Sequence, residues 1–261
     1  MVSKKEMRTT PVLLVVALSS GVLAQPRARQ QPDGRALFLK MQNALGGADR
    51  IAAVQDYEEH VRAESWNGST GQSMGAVQKR TRWIRPSHLR LDQVGPGSTY
   101  VLYFDGTAGW EILPGTDKAI PLEGGELEFA RGYVRGFMLN TWLADRDPRY
   151  AITSPSPNTV RIADGDPTHQ LDIVLDPATF LPTTLHQTSL SDPAHPTPSD
   201  QVLAEWETVK GIRFFRKFTV LRSGVRVAEA LDARHTINAG LKLADLAAKP
   251  ADMKPVLSSG R

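Results

Sequence analysis

The sequence has no cysteine in 261 residues. This excludes disulfides, thiolate metal centres and a cysteine nucleophile. It also removes the lipidated cysteine that bacterial lipoproteins carry just after their signal, so the chain is not expected to be lipid-anchored by that route. Long apolar runs are scarce as well. After Ala24 no stretch is long and apolar enough to span a bilayer, which takes about 20 residues. Sequence signatures of chemistry are equally thin. The six histidines, His60, His88, His169, His186, His195 and His235, show no metal-ligand spacing such as His-Glu-x-x-His. No phosphate-binding glycine loop is present. Gly68, Gly71 and Gly75 mark a turn between strands, and no nucleophile elbow of the Gly-x-Ser-x-Gly kind is expected. Neither a metal nor a cofactor is implied.

What is present begins with an export signal. Lys4, Lys5 and Arg8 form a positive n-region, and an uncharged apolar stretch runs from Pro11 to Ala24. It ends in Val22-Leu23-Ala24, the small-residue pattern of a cleavage site, so the mature protein is expected to start at Gln25 in the periplasm. The formal net charge is +3 for the whole chain. The first 24 residues hold three basic residues and one acid, a net of +2, leaving +1 for the mature protein. That near-neutral balance gives no reason to expect nucleic acid as a partner.

Residues 25–32 are polar, basic and proline-containing, and read as a flexible leader; residues 250–261 read as a disordered tail. Between them, 33–249 read as a single domain. Asp33 is placed to cap a helix with Leu37, Met41, Ala44 and Leu45 on one face, stopped by Gly46-Gly47. A short helical turn over 48–54 follows. The period then changes to two. Tyr57, Val61 and Ala63 alternate with polar residues, as do Val77, Thr81 and Trp83, then Leu89 and Leu91. Asp105-Gly106 signals a tight hairpin between an apolar strand, 100–104, and a return strand with Trp110 and Ile112. The connections are too short for parallel crossovers, so the pattern predicts an antiparallel meander.

A single helix is expected over 126–143, with Leu127, Ala130, Val134, Met138 and Thr141 on one line and Phe129, Tyr133 and Phe137 on a second beside it. Strands resume at 149–153, 159–163, 170–175 and 181–188. The Pro-rich 192–199 reads as a loop, and three long strands, 201–209, 212–221 and 225–237, close the domain before a short helix over 241–249. Roughly ten strands in two runs separated by a helix give a mainly β, α+β fold.

The acid pairs Glu58-Glu59, Glu123/Glu126/Glu128 and Asp145/Asp147 have structural readings. Neighbours on a strand point to opposite faces, acids near Glu126 complement a helix dipole, and Asp145-Arg146-Asp147-Pro148 is a turn. No catalytic residue is therefore expected, and the chain is not read as an enzyme. The apolar faces are more suggestive. Tyr100, Leu102 and Phe104 share a strand face, Trp110 and Ile112 are expected inward on the next strand, and Trp83, Leu89 and Leu91 extend the surface. With Val134, Phe137 and Met138 of the broad-faced helix as a lid, these residues are expected to line a cavity for an apolar ligand.

Several segments resemble the family of periplasmic proteins similar to the outer-membrane lipoprotein-sorting carrier LolA. Ala44-Leu45-Gly46-Gly47 followed by Ile51-Ala52-Ala53-Val54 resembles its opening, and Tyr103-Phe104-Asp105-Gly106-x-x-Gly109-Trp110 its central hairpin. Leu175-Asp176-x-x-Thr179-x-Leu181-Pro182 and Val209-Lys210-Gly211-Ile212-Arg213-Phe214 are similar to segments of its second half. The resemblance implies an incomplete antiparallel β-barrel closed by helices, with a hydrophobic cavity for acyl chains. The chain departs from that carrier in length and in a basic strand, Lys79-Arg80-Thr81-Arg82, and no cargo-binding residue is transferred by matching. The function so implied is a periplasmic, non-enzymatic carrier of a lipid or of lipoprotein acyl chains, with envelope membrane proteins as further partners. The alternatives are an envelope scaffold with a barrel filled by its own side chains, and a hydrolase whose site assembles only in three dimensions.

Overall fold

The computed structural model describes residues 33–95, 98–116, 118–189 and 196–250. The expected signal, the cleavage point, the leader and the tail from residue 251 lie outside them. The domain opens as its sequence pattern dictates. Helix α1, Gly34–Leu45, is capped by the Asp33 side chain, which accepts from the Arg35 amide, and it buries Leu37, Phe38, Met41 and Leu45. Gly46, at φ +123°, ends it, because that backbone conformation is costly for any residue with a Cβ. Helix α2, Ala48–Ala52, follows.

Six strands form the first run: β1 Asp56–Trp66, β2 Ser73–Ile84, β3 His88–Gly95, β4 Ser98–Phe104, β5 Gly109–Ile112 and β6 Ile120–Pro121. Helices α3, Gly124–Arg135, and α4, Met138–Thr141, separate them from seven more. These are β7 Ala151–Ser156, β8 Thr159–Ala163, β9 Leu171–Leu175, β10 Pro182–Ser189, β11 Thr197–Val209, β12 Ile212–Arg222 and β13 Val225–Ile237. Helix α5, Leu243–Ala247, comes last. All thirteen strands join one sheet in the order β6-β5-β4-β3-β2-β1-β13-β12-β11-β10-β9-β8-β7. Each run is a meander whose strands pair with their sequence neighbours. The two runs are joined where β1 pairs antiparallel with β13, Tyr57 facing Ile237.

This order puts the first and last strands at the centre and leaves β6 and β7 as free edges. The sheet is an incomplete barrel. The chain between the edges, from Leu122 to Tyr150, is the helical segment, so α3 and α4 cross the inner face. Three polar contacts join α1 and α2 to the segment after α4. The Gln42 amide of α1 donates to the Trp142 carbonyl at 2.8 Å and to Asp145 Oδ1 at 2.7 Å, and Arg146 pairs with Asp49 at 2.7 Å. The main core lies between α1, α4 and the inner face of the central and second-run strands, with Phe38, Met41, Tyr57, Trp83 and Phe214 fully buried.

Two expectations are corrected. The single helix over 126–143 is broken. Gly136 terminates α3, its N–H bonded to the Gly132 carbonyl at 2.8 Å. Phe137 is extended at φ −61°, ψ 131°, which turns its ring inward against Tyr57 at 5.3 Å and Trp83 at 5.0 Å. Burying an aromatic ring in that cluster outweighs continuing the helix by a turn, and Asn140 Nδ2 caps the freed Val134 carbonyl at 2.8 Å. The second correction concerns Trp110 and Ile112. Phe104 pairs with Gly109 and Tyr103 with Trp110, so Glu111, not Trp110, stands beside Leu102 on the inner face. Trp110 and Ile112 lie on the outer face with Arg82, Arg90 and Asp92. There Arg82 Nη2 and Arg90 Nε hold Asp92 at 2.6 and 3.0 Å. Arg90 also donates to the Leu246 carbonyl at 3.0 Å, fastening α5 over this face.

The docking of α1 against the sheet is tight at one point. A Cβ on Gly34 would lie 2.2 Å from the carbonyl carbon of Thr153 on β7. Gly34→Ala is therefore expected to push helix and edge strand apart and cost about 1–3 kcal/mol. Thermal melting checks this, and an unchanged melting temperature would show that α1 does not bear on β7.

Candidate functional site

The central strands set the site in rows. Cross-strand partners share a face, so β1, β2 and β13 present three successive inward rows: Tyr57, Trp83 and Ile237; Glu59, Thr81 and His235; Val61, Lys79 and Ala233. The middle row is polar and buried. His235 Nε2 lies 2.7 Å from the Phe215 carbonyl, which only accepts, so Nε2 is the donor there. Nδ1 then accepts from the Tyr57 hydroxyl at 2.8 Å. Burial, reinforced by the nearby Glu59 carboxylate, holds the Tyr57 hydroxyl well above the ordinary tyrosine value. Thr81 donates to Glu59 Oε2 at 3.4 Å.

Lys79 stands in the next row. Its Nζ donates to the Tyr133 hydroxyl of α3 at 2.8 Å and lies 5.0 Å from the centre of the same ring. Burial pulls its pKa down, but the fields of Tyr133 and Glu59 and the hydrogen bond outweigh it, and the net shift is upward. Lys79 is an ammonium ion at neutral pH.

Beyond these rows the inner face is hollow. A cavity of about 420 Å³ lies between the α3–α4 segment and strands β8–β12, within the range of about 300–1,000 Å³ usual for small-molecule sites. Tyr133, Phe137 and Met138 form its helical wall, and Ile162, Ile173, Leu203, Phe215 and Phe218 line its sheet wall. Glu59 and Lys79 also border it.

The candidate ligand-binding residues are distributed unequally around this space. Phe137 and Met138 line it. Leu89, Leu91, Leu102, Phe104 and Val134 pack with Leu122 and Ala130 in a separate cluster, with Tyr100 partly buried against it. There α3 sits directly on β3 and β4. Trp83 belongs to the main core and is fully buried. Trp110 and Ile112 are on the far side of the sheet. Sequence reading passed over the second-run walls and the inward phase of Lys79. The signal was available: Lys79 falls between Val77 and Thr81 in the alternation assigned to the inward side of β2.

Glu58 and Glu59 do point to opposite faces. Glu58 is bonded outside to His60 and to Arg80, the latter at 2.8 Å, and these hydrogen bonds hold its carboxyl down at about 2 against the opposing effect of burial. The Gly-x-Ser-x-Gly spacing is in fact present as Gly71-Gln72-Ser73-Met74-Gly75, which corrects the expectation above. It lies where the β1–β2 hairpin enters β2, not at a strand-to-helix turn, and Ser73 Oγ donates to Glu64 at 2.6 Å, on the exposed surface. Among the described residues no group of three or more His, Asp or Glu is arranged to hold a metal, and no helix is long and apolar enough to cross a membrane.

The architecture is a LolA-like fold, an open antiparallel barrel with a helical segment across its inner face. No protein-family description and no curated protein matches the sequence. Solved structures do match. One is an outer membrane lipoprotein-sorting protein domain by name, from Vibrio parahaemolyticus, at 11% identity over 82% of this chain and 97% of that one, TM-score 0.51. A DUF1329 family protein from Desulfovibrio piger matches at 13% identity over 82% and 97%, TM-score 0.53. A LolA superfamily protein from Nitrosomonas europaea matches at 9% identity over 82% and 96%, TM-score 0.50. At such identities the likeness is one of fold.

The filled and hollow halves are expected to respond differently to charge. Leu102→Glu puts a carboxylate into a dry cluster and should cost about 3–5 kcal/mol, largely unfolding the domain. Val220→Glu, at the cavity wall, is expected to stay folded with a much smaller loss, because its carboxylate remains hydrated. Equal losses in thermal melting would mean that the cavity is not solvated.

Proposed function

We propose that this protein is an exported, periplasmic carrier that holds the acyl chain of a lipid or lipoprotein in its cavity and hands it on within the envelope, without catalysing a reaction. One observation carries this reading: the inner face is hollow on its second-run side, with aromatic and aliphatic walls facing each other across about 420 Å³. Natural interiors are close-packed, and an open space of this size with apolar walls and a few polar groups is of the kind that takes a small amphiphilic ligand. The likeness of fold to a lipoprotein-sorting domain supports the same reading. A scaffold filled by its own side chains accounts for the first run, where α3 seals β3 and β4, but not for the second. A hydrolase reading has less support, since His235 is held on both ring nitrogens, by the Tyr57 hydroxyl of the neighbouring row and by the Phe215 carbonyl. On this proposal α3 and α4, with Phe137 and Met138, form the lid, and Gln25 is the first residue of the mature chain.

The test is native mass spectrometry of protein isolated from the periplasm without harsh detergent, followed by displacement of a fluorescent acyl probe by several lipid classes. One equivalent of copurifying or added lipid is expected, on a polypeptide whose mass begins at Gln25. Failure to bind any lipid class would contradict the carrier reading. Retention of Met1 in envelope-located protein would contradict the export reading.

A further inference from the structure

Resting on the carrier reading, the cavity also says what kind of head group its ligand has. An ammonium group has three N–H donors. Among the described residues, Lys79 Nζ uses one, to the Tyr133 hydroxyl at 2.8 Å. Glu59 is the single carboxylate in the cavity lining; its field reaches Lys79, but among the described residues no ion pair joins the two, and Thr81 donates to Glu59 Oε2 at 3.4 Å. Lys79 therefore faces the cavity as a cation with donors to spare. A purely hydrocarbon occupant would leave that charge dry with unmet donors, which is strongly unfavourable.

The rest of the lining has the same bias. Arg135 and Arg222 also border the cavity, so three permanent cations stand against one carboxylate. Neither arginine has an ion-pair partner within bonding distance among the described residues, although Arg135 stands in the field of Asp164 and Asp166. The expected mature chain as a whole is nearly neutral, so this concentration of positive charge is local. It raises the local concentration of anions and discriminates against cationic amphiphiles.

We infer that the ligand is an anionic amphiphile whose carboxylate or phosphate oxygens accept hydrogen bonds from Lys79 while its acyl chain occupies the apolar part of the cavity. The ion then completes the donor set of Lys79 in a site shielded from water, where a charge-assisted hydrogen bond is strong. Neutral lipids of the same chain length fill the same space but leave Lys79 without its acceptor.

The experiment compares three probes of equal chain length, palmitate, palmitoyl lysophosphatidate and methyl palmitate, titrated into the mature protein and followed by intrinsic tryptophan fluorescence. At least one anionic probe is expected to bind about tenfold or more tighter than methyl palmitate. The tighter of the two identifies carboxylate or phosphate as the head group. Lys79→Met should weaken anion binding about tenfold to a hundredfold while leaving methyl palmitate unchanged, and Lys79→Arg should keep the preference. Melting curves establish that each variant is folded; if Lys79→Met is not, Lys79→Gln serves in its place. Methyl palmitate binding as tightly as both anions, or an anion preference that survives Lys79→Met, overturns the inference while the carrier reading stands. If none of the probes binds, and no lipid of any other class does, the carrier reading fails and this inference with it.

Discussion

The pairing of the first strand with the last is the constraint on which the rest of the structure depends. Without the β1–β13 ladder, Tyr57 to Ile237 through Ser65 to Ala228, there would be two separate meanders, each with one more exposed edge. Joining them at the chain ends forces the other ends, β6 and β7, to the outside of the sheet. In this chain the connection between those edges traverses the inner face, and there, away from the sheet ladder, it pairs its backbone groups internally as helix.

The same pairing explains why the cover fits well on one side and leaves space on the other. On the first-run side α3 lies against the alternating leucines of β3 and β4 and seals them. Past Gly136 the chain bends to bury Phe137, and α4 is only four residues long. The shorter α4 and the turn after it leave the upper parts of β10, β11 and β12 facing space. The row alignment at β1, β2 and β13 sets Lys79 at the border between the filled and hollow parts. Fold, lid and charged group are consequences of one register.

Much of this was legible in the sequence. The cap at Asp33, the stop at Gly46 and the alternation of β1 and β2 follow from local chemistry. So do the turns at Lys210-Gly211 and Ser223-Gly224, where all four residues have positive φ. The break in the long helix was less visible, since Gly136 is tolerable in a helix and only the tertiary pull on Phe137 decides the matter. The phase of Trp110 was misread because a strand of four residues, Gly109–Ile112, gives too little alternation to fix its face. Its face is set by the pairing with β4, where Trp110 stands opposite Tyr103. The hollow half was not legible, because a strand that lines a void and one that lines a packed core have the same period. What separates them is how far the opposing helix reaches, a property of a distant segment.

The central claim is that the space beneath α4 is a binding site for an acyl chain. Crystallography of the mature protein with a terminally brominated fatty acid tests it most directly, since anomalous scattering locates the bromine without reference to any protein coordinates. The account predicts a bromine peak among Ile173, Leu203 and Phe215, with no displacement of the cluster around Leu102. A peak between α3 and strands β3–β4, or bromine only on the outer surface of the sheet, would contradict it.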